Sequence, residues 1–283
     1  MIICLDTSAV NRLHDDAERE ALVAGLLAGG EFYVSAYNVL EAAATKDEEK
    51  RKSLVRFLAR LARGKRPLNA ANTIIRGLAD AHATNLETIT VNSDPDLEGV
   101  WQALLRPDEI DDPIRQESKD WAAERTAEFE ETVSKARPQF QELFKHRPDE
   151  RPPNAAETIR RYFKHKEQIF DQLIAPIYLR QTGKELTRRA FDELIEEPAW
   201  ILYFGTYVYA LHHRAMPRSG YSSKWHADAI DLQQAVYLRF CDWFVTDDKP
   251  QYRAIRLMNV FNKGRATRVC RYDSFRRMLF VSG

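Results

Sequence analysis

A short apolar run, Ile2-Ile3-Cys4-Leu5, breaks off at the polar triplet Asp6-Thr7-Ser8. The run is too short for a helix and suits a buried parallel strand. Phe32 to Ser35 repeats the pattern. Between the two, residues 9 to 28 place apolar positions at helical spacing and stop at Gly29-Gly30, a helix C-terminal signal. Strand, helix, strand in that order predicts a parallel crossover and an α/β sheet, because parallel neighbours need a connection long enough to recross the sheet.

The pattern is then helical from Ala36 to the region of Leu86 and includes a basic amphipathic stretch, Arg51 to Arg66, with Leu54, Phe57, Leu58 and Leu61 on one face. Pro67 interrupts it. From Asp94 to Glu131 acidic residues outnumber basic ones by roughly three to one, and Pro95, Pro107 and Pro113 break the stretch. Residues 115 to 146 and 155 to 200 read as long amphipathic helices separated by a polar, proline-rich link from His146 to Asn154. No strand pattern and no internal repeat is found in this middle. The strand pattern returns at Trp243 to Thr246 and at Thr267 to Arg271, with a helix from Ala227 to Phe240 before it. The expected organisation is therefore a first part of one α/β domain over residues 1–93, an all-helical insertion over 94–200, and the second part of the domain over 201–283.

Composition sets limits on that picture. The chain has 283 residues, 44% of them hydrophobic, enough for a substantial core near the upper size of one domain. Lys plus Arg number 42 and Asp plus Glu number 42, so net charge makes no case for or against nucleic acid. Cys4, Cys241 and Cys270 are too scattered for a disulfide framework or a zinc cluster and read as reduced core residues. The opening apolar run has no basic leader and is too short for a signal peptide, and no window approaches the roughly 18 apolar residues of a membrane span. A soluble cytoplasmic protein with no membrane partner is expected.

Chemistry is expected at the carboxyl ends of the strands, where ligands of parallel sheets gather. Asp6 stands at one such end and Thr246-Asp247-Asp248 at another. Glu41 falls on the second turn of the helix after Phe32 to Ser35, and Asp231 lies early in the helix leading to Trp243. Converging carboxylates without matching cations cannot all stay ionised, and a divalent cation resolves the conflict. Hard oxygen ligands suit Mg²⁺ or Mn²⁺ rather than Zn²⁺. Such an ion polarises a phosphoryl oxygen and lowers the pKa of bound water, the requirements of phosphodiester hydrolysis.

The ordered set of Asp6-Thr7-Ser8 after an apolar strand, Val34-Ser35 followed by Glu41, Asp231 followed by Ala235, and Trp243-Phe244-Val245-Thr246 leading to Asp248 resembles the successive motifs of PIN-domain ribonucleases. The resemblance covers roughly the first 90 and last 80 residues, about the size of one small domain. It implies a PIN-like three-layer domain with a central, mostly parallel sheet, interrupted by the helical insertion. It also implies that Asp6, Glu41, Asp231 and Asp248 are the metal-binding acids, with Ser8 and Thr246 as supporting hydroxyls. The residues themselves leave alternatives open. Asp6-Thr7-Ser8 also reads as a helix N-cap, and Glu41 as a solvated helix residue. Asp228 competes with Asp231 on one helix face, and Asp247 with Asp248; the unchosen member of each pair is expected to support the site.

Charge distribution adds to this. Lys249 to Arg277 contains nine basic residues against the single acid Asp273, interleaved with Tyr252, Phe261, Tyr272 and Phe275. Lys249, Arg253 and Arg256 are expected to meet a phosphate backbone, with Lys224 in the Gly-Ser loop before Asp228. Alternatively, the arginines pair with the acidic middle of the chain. His226 reads as a structural loop residue, and no zinc signature, Ser-His-Asp order or glycine-rich phosphate loop occurs. Trp200, Tyr203, Phe204, Tyr207 and Tyr209 read as the apolar wall of a buried helix.

The sequence thus predicts a Mg²⁺- or Mn²⁺-dependent nuclease acting on RNA in preference to DNA. The alternative is a PIN-like binding module for nucleic acid or protein with little catalytic power. Many relatives of the resembled kind are toxins of toxin–antitoxin pairs, which makes an antitoxin or other protein a candidate partner. The large insertion departs from that compact pattern and offers a surface for a partner or for homo-oligomerisation.

Overall fold

Strand β1 (Ile2–Leu5) buries Ile3, Cys4 and Leu5 in the centre of a four-stranded sheet. The sheet is completed by β2 (Glu31–Tyr33), β3 (Trp243–Thr246) and β4 (Arg268–Arg271), in the order β2-β1-β3-β4. Every pairing is parallel, with Ile3 in register with both Phe32 and Trp243. The two ends of the chain therefore build one sheet, as the strand patterns predict. The computed structural model describes residues 1–81, 86–91, 98–109, 112–145, 154–164, 166–215 and 227–281.

Several boundaries differ from the sequence reading for local reasons. The single helix expected over residues 9 to 28 is two, α1 (Thr7–His14) and α2 (Arg19–Gly29). At the break, Asp16 turns away to accept hydrogen bonds from Tyr272 and Arg276. The second strand stops at Tyr33 because Ser35 is the N-cap of α3 (Ala36–Ala43), in a capping box with Asn38. Helix α4 (Glu48–Ala62) buries Leu54, Phe57, Leu58 and Leu61 as its spacing predicts.

The middle of the chain continues with α5 (Ala71–Ala81), α6 (Leu86–Val91) and α7 (Glu98–Leu105), followed by the long α8 (Asp112–Lys145). The long helix expected over 155 to 200 is instead a series: α9 (Ala155–Lys164), α10 (Lys166–Ile169), a π-helical turn (Phe170–Ile174), α11 (Ala175–Thr182) and α12 (Arg188–Leu194). Gly183, at φ 68°, ends α11 in the left-handed conformation, and the Thr187 side chain caps α12. None of the described residues between 95 and 200 forms a strand.

Helix α13 (Pro198–Ala215) carries the aromatic wall: Trp200, Tyr203, Phe204, Tyr207 and Tyr209 are all buried. It packs on α8 and α9 and on the 3-10 turn Gln234–Arg239. That turn follows α14 (Ala229–Gln233), so the expected helix from Ala227 to Phe240 is a short α-helix that tightens. Helices α15 (Lys249–Met258) and α16 (Tyr272–Val281) complete the chain. Gly205 lets α13 approach α15 closely, because a Cβ there would lie 2.6 Å from the Met258 methyl carbon. Leu5 of the sheet, Phe129 of α8 and Tyr207 of α13 belong to one continuous buried cluster. The helical middle is thus packed into the same core as the sheet.

Cys4, Cys241 and Cys270 are free thiols. Among the described residues, no helix is long and apolar enough to cross a membrane.

Candidate active site

The carboxyl ends of β1 and β3 lie side by side, and each strand hands over directly to a helix whose N-cap is an aspartate. Asp6 caps α1 by accepting from Ala9 N–H at 2.8 Å. Asp248 caps α15 by accepting from Gln251 N–H at 2.5 Å. The strand ends are also tied by side chains. The Ser8 hydroxyl donates to Asp6 at 2.8 Å and accepts from Asp247 N–H at 2.8 Å and Asp248 N–H at 3.1 Å. Ser8 and Thr246, the expected supporting hydroxyls, both contact Asp6. Thr246 Oγ1 lies 2.9 Å from Asp6 Oδ2 and 2.6 Å from Gln251 Oε1. A hydroxyl has one proton for these two acceptors, so both contacts are hydrogen bonds only when Asp6 itself carries a proton.

Glu41 reaches the same place from α3. It accepts from the Thr7 hydroxyl, which in turn accepts from the buried Asn38 amide at 3.3 Å. Asp231 arrives from the first turn of α14, and Asp228 caps that helix by accepting from Asp231 N–H at 2.9 Å. Asp6, Glu41, Asp228, Asp231 and Asp248 all line one cleft of about 730 Å³, along with Thr7, Ser8 and Ile230. The far wall is Ala122, Ala123, Thr126 and Ala127 of α8. Among the described residues, no Lys, Arg or His lines it.

Burial and mutual repulsion act together on these acids. Burial raises the Asp6 pKa to about 6, against the opposing hydrogen bonds from Ala9, Ser8 and Thr246. It raises Glu41 to about 7, helped by the charges of Asp6 and Asp228. Asp231 is raised further still, first by burial and then by Asp228, Glu41, Asp6 and Asp248. A cleft of this kind holds protons at neutral pH and has the hard-oxygen donors that suit a divalent cation. Among the described residues, no three His, Cys, Asp or Glu side chains already converge on one metal position. Like charges without a counter-charge keep apart, and Asp6, Asp228 and Asp248 turn to the N–H groups of the helices they cap.

The open pairs are separated by this geometry. Asp248 lines the cleft, whereas Asp247 faces away, 2.9 Å from Arg271 and 3.3 Å from Arg12. The Asp247 backbone N–H donates to Ser8. Asp228 and Asp231 both line the cleft, so their competition ends in sharing. Lys249, Arg253 and Arg256 are exposed along α15, which starts at Asp248, but none of them lines the cleft. Lys224 and His226 lie outside the described residues.

Much of the C-terminal basic stretch is committed within the fold, though not to the acidic middle. Arg265 pairs with Asp242, Arg271 with Asp247, and Arg276 with Asp16 and Glu18. The middle finds other cations, such as Arg214 against Glu130.

The α8 wall, Gln251 and the Thr7 hydroxyl that serves Glu41 carry no clear signal in the sequence. The α8 wall is composed of small residues whose chemistry signals nothing until the fold places them opposite the acids. Gln251, fully buried, hydrogen-bonds at both ends of its amide beside the cleft. No family model, curated protein or solved structure compared with the chain matches it.

Proposed function

We propose that the chain is a nuclease that hydrolyses phosphodiester bonds, in RNA by preference, with Mg²⁺ or Mn²⁺ held by Asp6, Glu41, Asp231 and Asp248. The observation that carries this reading is one cleft that, among the described residues, is lined by five carboxylates and no basic side chain. Its donor set fits a hard divalent cation, which would polarise a phosphoryl oxygen and activate water.

The chain's own groups have definite tasks in this reading. The Ser8 hydroxyl holds Asp6 in place, and Thr246 lies against it from the end of β3. Glu41 and Asp231 release their protons on becoming ligands, so binding is coupled to pH. The N-termini of α1 and α15 point toward the cleft from their aspartate caps and favour an anionic phosphate nearby. The preference for RNA follows from the resemblance to PIN-domain ribonucleases, as does the reading of the α/β part as PIN-like and of residues 94–200 as an insertion.

The test is cleavage of labelled single-stranded RNA and DNA with Mn²⁺, with Asp6→Asn and Asp231→Asn as controls. Cleavage is expected from the wild type and loss of at least about a hundredfold from each variant, the scale of removing a group that acts on the transition state. Equal signal from all three proteins removes the nuclease reading.

One observation favours a second reading, a binding module with little catalytic power. Asp6, Asp228 and Asp248 each already serve as a helix N-cap, a structural task sufficient to retain them. Retention of RNA by the wild type, without cleavage and without a Mn²⁺ requirement, would decide for it. An antitoxin, another protein or a second copy of the chain remains a proposed partner for the helical middle.

A further inference from the structure

Gln251 stands one turn into α15 with no exposed surface, and it touches the segments carrying Asp248 and Asp231 and reaches Asp6 through Thr246. Its backbone N–H donates to Asp248 Oδ1 at 2.5 Å. Its Nε2 donates to the main-chain carbonyl of Asp231 at 3.3 Å, across to α14. Its Oε1 accepts from Thr246 at 2.6 Å, and Thr246 is in contact with Asp6. A fully buried glutamine is uncommon, and an apolar side chain of the same length would fill the space without needing partners. Here both ends of the amide are used, and both partners belong to the backbone or side chains that carry the site. The amide orientation follows from those partners, because reversing it would set Oε1 against the Asp231 carbonyl.

We propose that Gln251 is a positioning residue that sets the spacing of the Asp231 and Asp248 segments around Asp6, and thereby the affinity of the cleft for a divalent cation. It touches no substrate atom and acts through Thr246 and the α14 backbone. The part of this proposal that concerns the cation rests on the nuclease reading. The mechanical part does not: α14 is short, and the Gln251 amide bridges it to α15. Losing the amide frees the segment bearing Asp231 while leaving the Asp248 cap, which uses the backbone of residue 251, in place.

The experiment uses the full chain as wild type, Gln251→Met and Gln251→Asn. Methionine keeps the length and removes both amide bonds; asparagine keeps the amide and falls one methylene short of spanning its partners. Mn²⁺ binding is titrated by electron paramagnetic resonance of the free ion, and hydrogen exchange is followed at residues 228–233. Both variants are expected to bind Mn²⁺ about tenfold more weakly, the scale seen when a group orienting metal ligands is removed. Cleavage is expected to recover as Mn²⁺ is raised, whereas a general structural defect would lower the rate at saturation. Mn²⁺ affinity within twofold of wild type in whichever variant folds overturns the proposal. A wild type that takes up no Mn²⁺ overturns the nuclease reading instead. The positioning role is then decided by exchange: faster exchange at 228–233 in the variants supports it, and unchanged protection overturns it.

Discussion

Thr246 Oγ1 and Asp6 Oδ2 lie 2.9 Å apart although 240 positions separate them in the chain. The contact exists because β1 and β3 are parallel neighbours in register, Leu5 against Val245, so that the next residue of each strand emerges at the same edge. An acid and a hydroxyl from opposite ends of the sequence thereby become one local structure.

Removing that hydroxyl tests the arrangement. Thr246→Val keeps the strand former and leaves the buried Gln251 Oε1 without its donor. It is expected to destabilise the fold by about 1–3 kcal/mol, the penalty of an unsatisfied buried polar group, in urea unfolding. Thr246→Ser retains the hydroxyl and should remain within about 1 kcal/mol of wild type. A valine variant as stable as wild type would contradict the role assigned to the contact.

The acids themselves are expected to act against stability. Asp231 has a folded pKa raised above the ordinary aspartate value by burial and its four acidic neighbours. Below the unfolded pKa of about 4, both states are protonated and there is no penalty. As pH rises beyond it, the unfolded chain ionises first and folding is increasingly opposed. Asp231→Asn should therefore match wild type near pH 4 and exceed it by about 1 kcal/mol or more at pH 8. A gain that shrinks with rising pH would refute this sign. Mn²⁺ should raise the wild-type melting temperature more at pH 8 than at pH 6, and chelation should reverse the gain.

The small residues opposite the acids make a separate prediction. Ala127 lies on the exposed, cleft-lining side of α8, where leucine is nearly as good a helix former. Ala127→Leu should leave stability within about 0.5 kcal/mol, as for most surface changes, while lowering cleavage at least about tenfold by obstructing the cleft. Undiminished cleavage would mean that substrate does not pass along α8.

A distant pair predicts acid sensitivity. Arg276 holds Asp16 down to a pKa of about 2 through a 2.7 Å hydrogen bond, tying the corner between α1 and α2 to α16. Because the folded pKa lies below the unfolded one, this stabilisation is full above pH 4 or so and is lost as pH falls toward 2. Arg276→Gln should lower stability at pH 7 and by progressively less on acidification, measured by chemical denaturation. The same deficit at pH 2.5 as at pH 7 would count against the ion pair.

Some of this was legible in the residues. Short apolar runs cut off by polar triplets mark Asp6 and Thr246 as strand ends, because a run of about four apolar residues between turn signals suits a buried strand better than a helix. The aromatic face of α13 and the apolar stripe of α4 were equally clear, since burial repeats with the helical period. The choice between Asp247 and Asp248 was not, because adjacent residues point in different directions and only their neighbours decide which faces the cleft. Arg271 and Arg12 take Asp247, and the cap on α15 keeps Asp248. Gln251 and the alanines of α8 gave no signal, since a glutamine in a helix reads as solvated and alanine as filler.

Local pattern therefore specified the strands, the helical character of the middle and the placement of acids at element ends, because those depend on neighbours within a few residues. Which acids share a cleft, what stands opposite them and which amide ties them together depend on packing between segments far apart in the chain. Asp6 needs β3 to arrive beside it, and the cleft needs α8 to close its far side. Those are long-range contacts, and their physical cause is the burial of one continuous core that no local stretch of the chain contains.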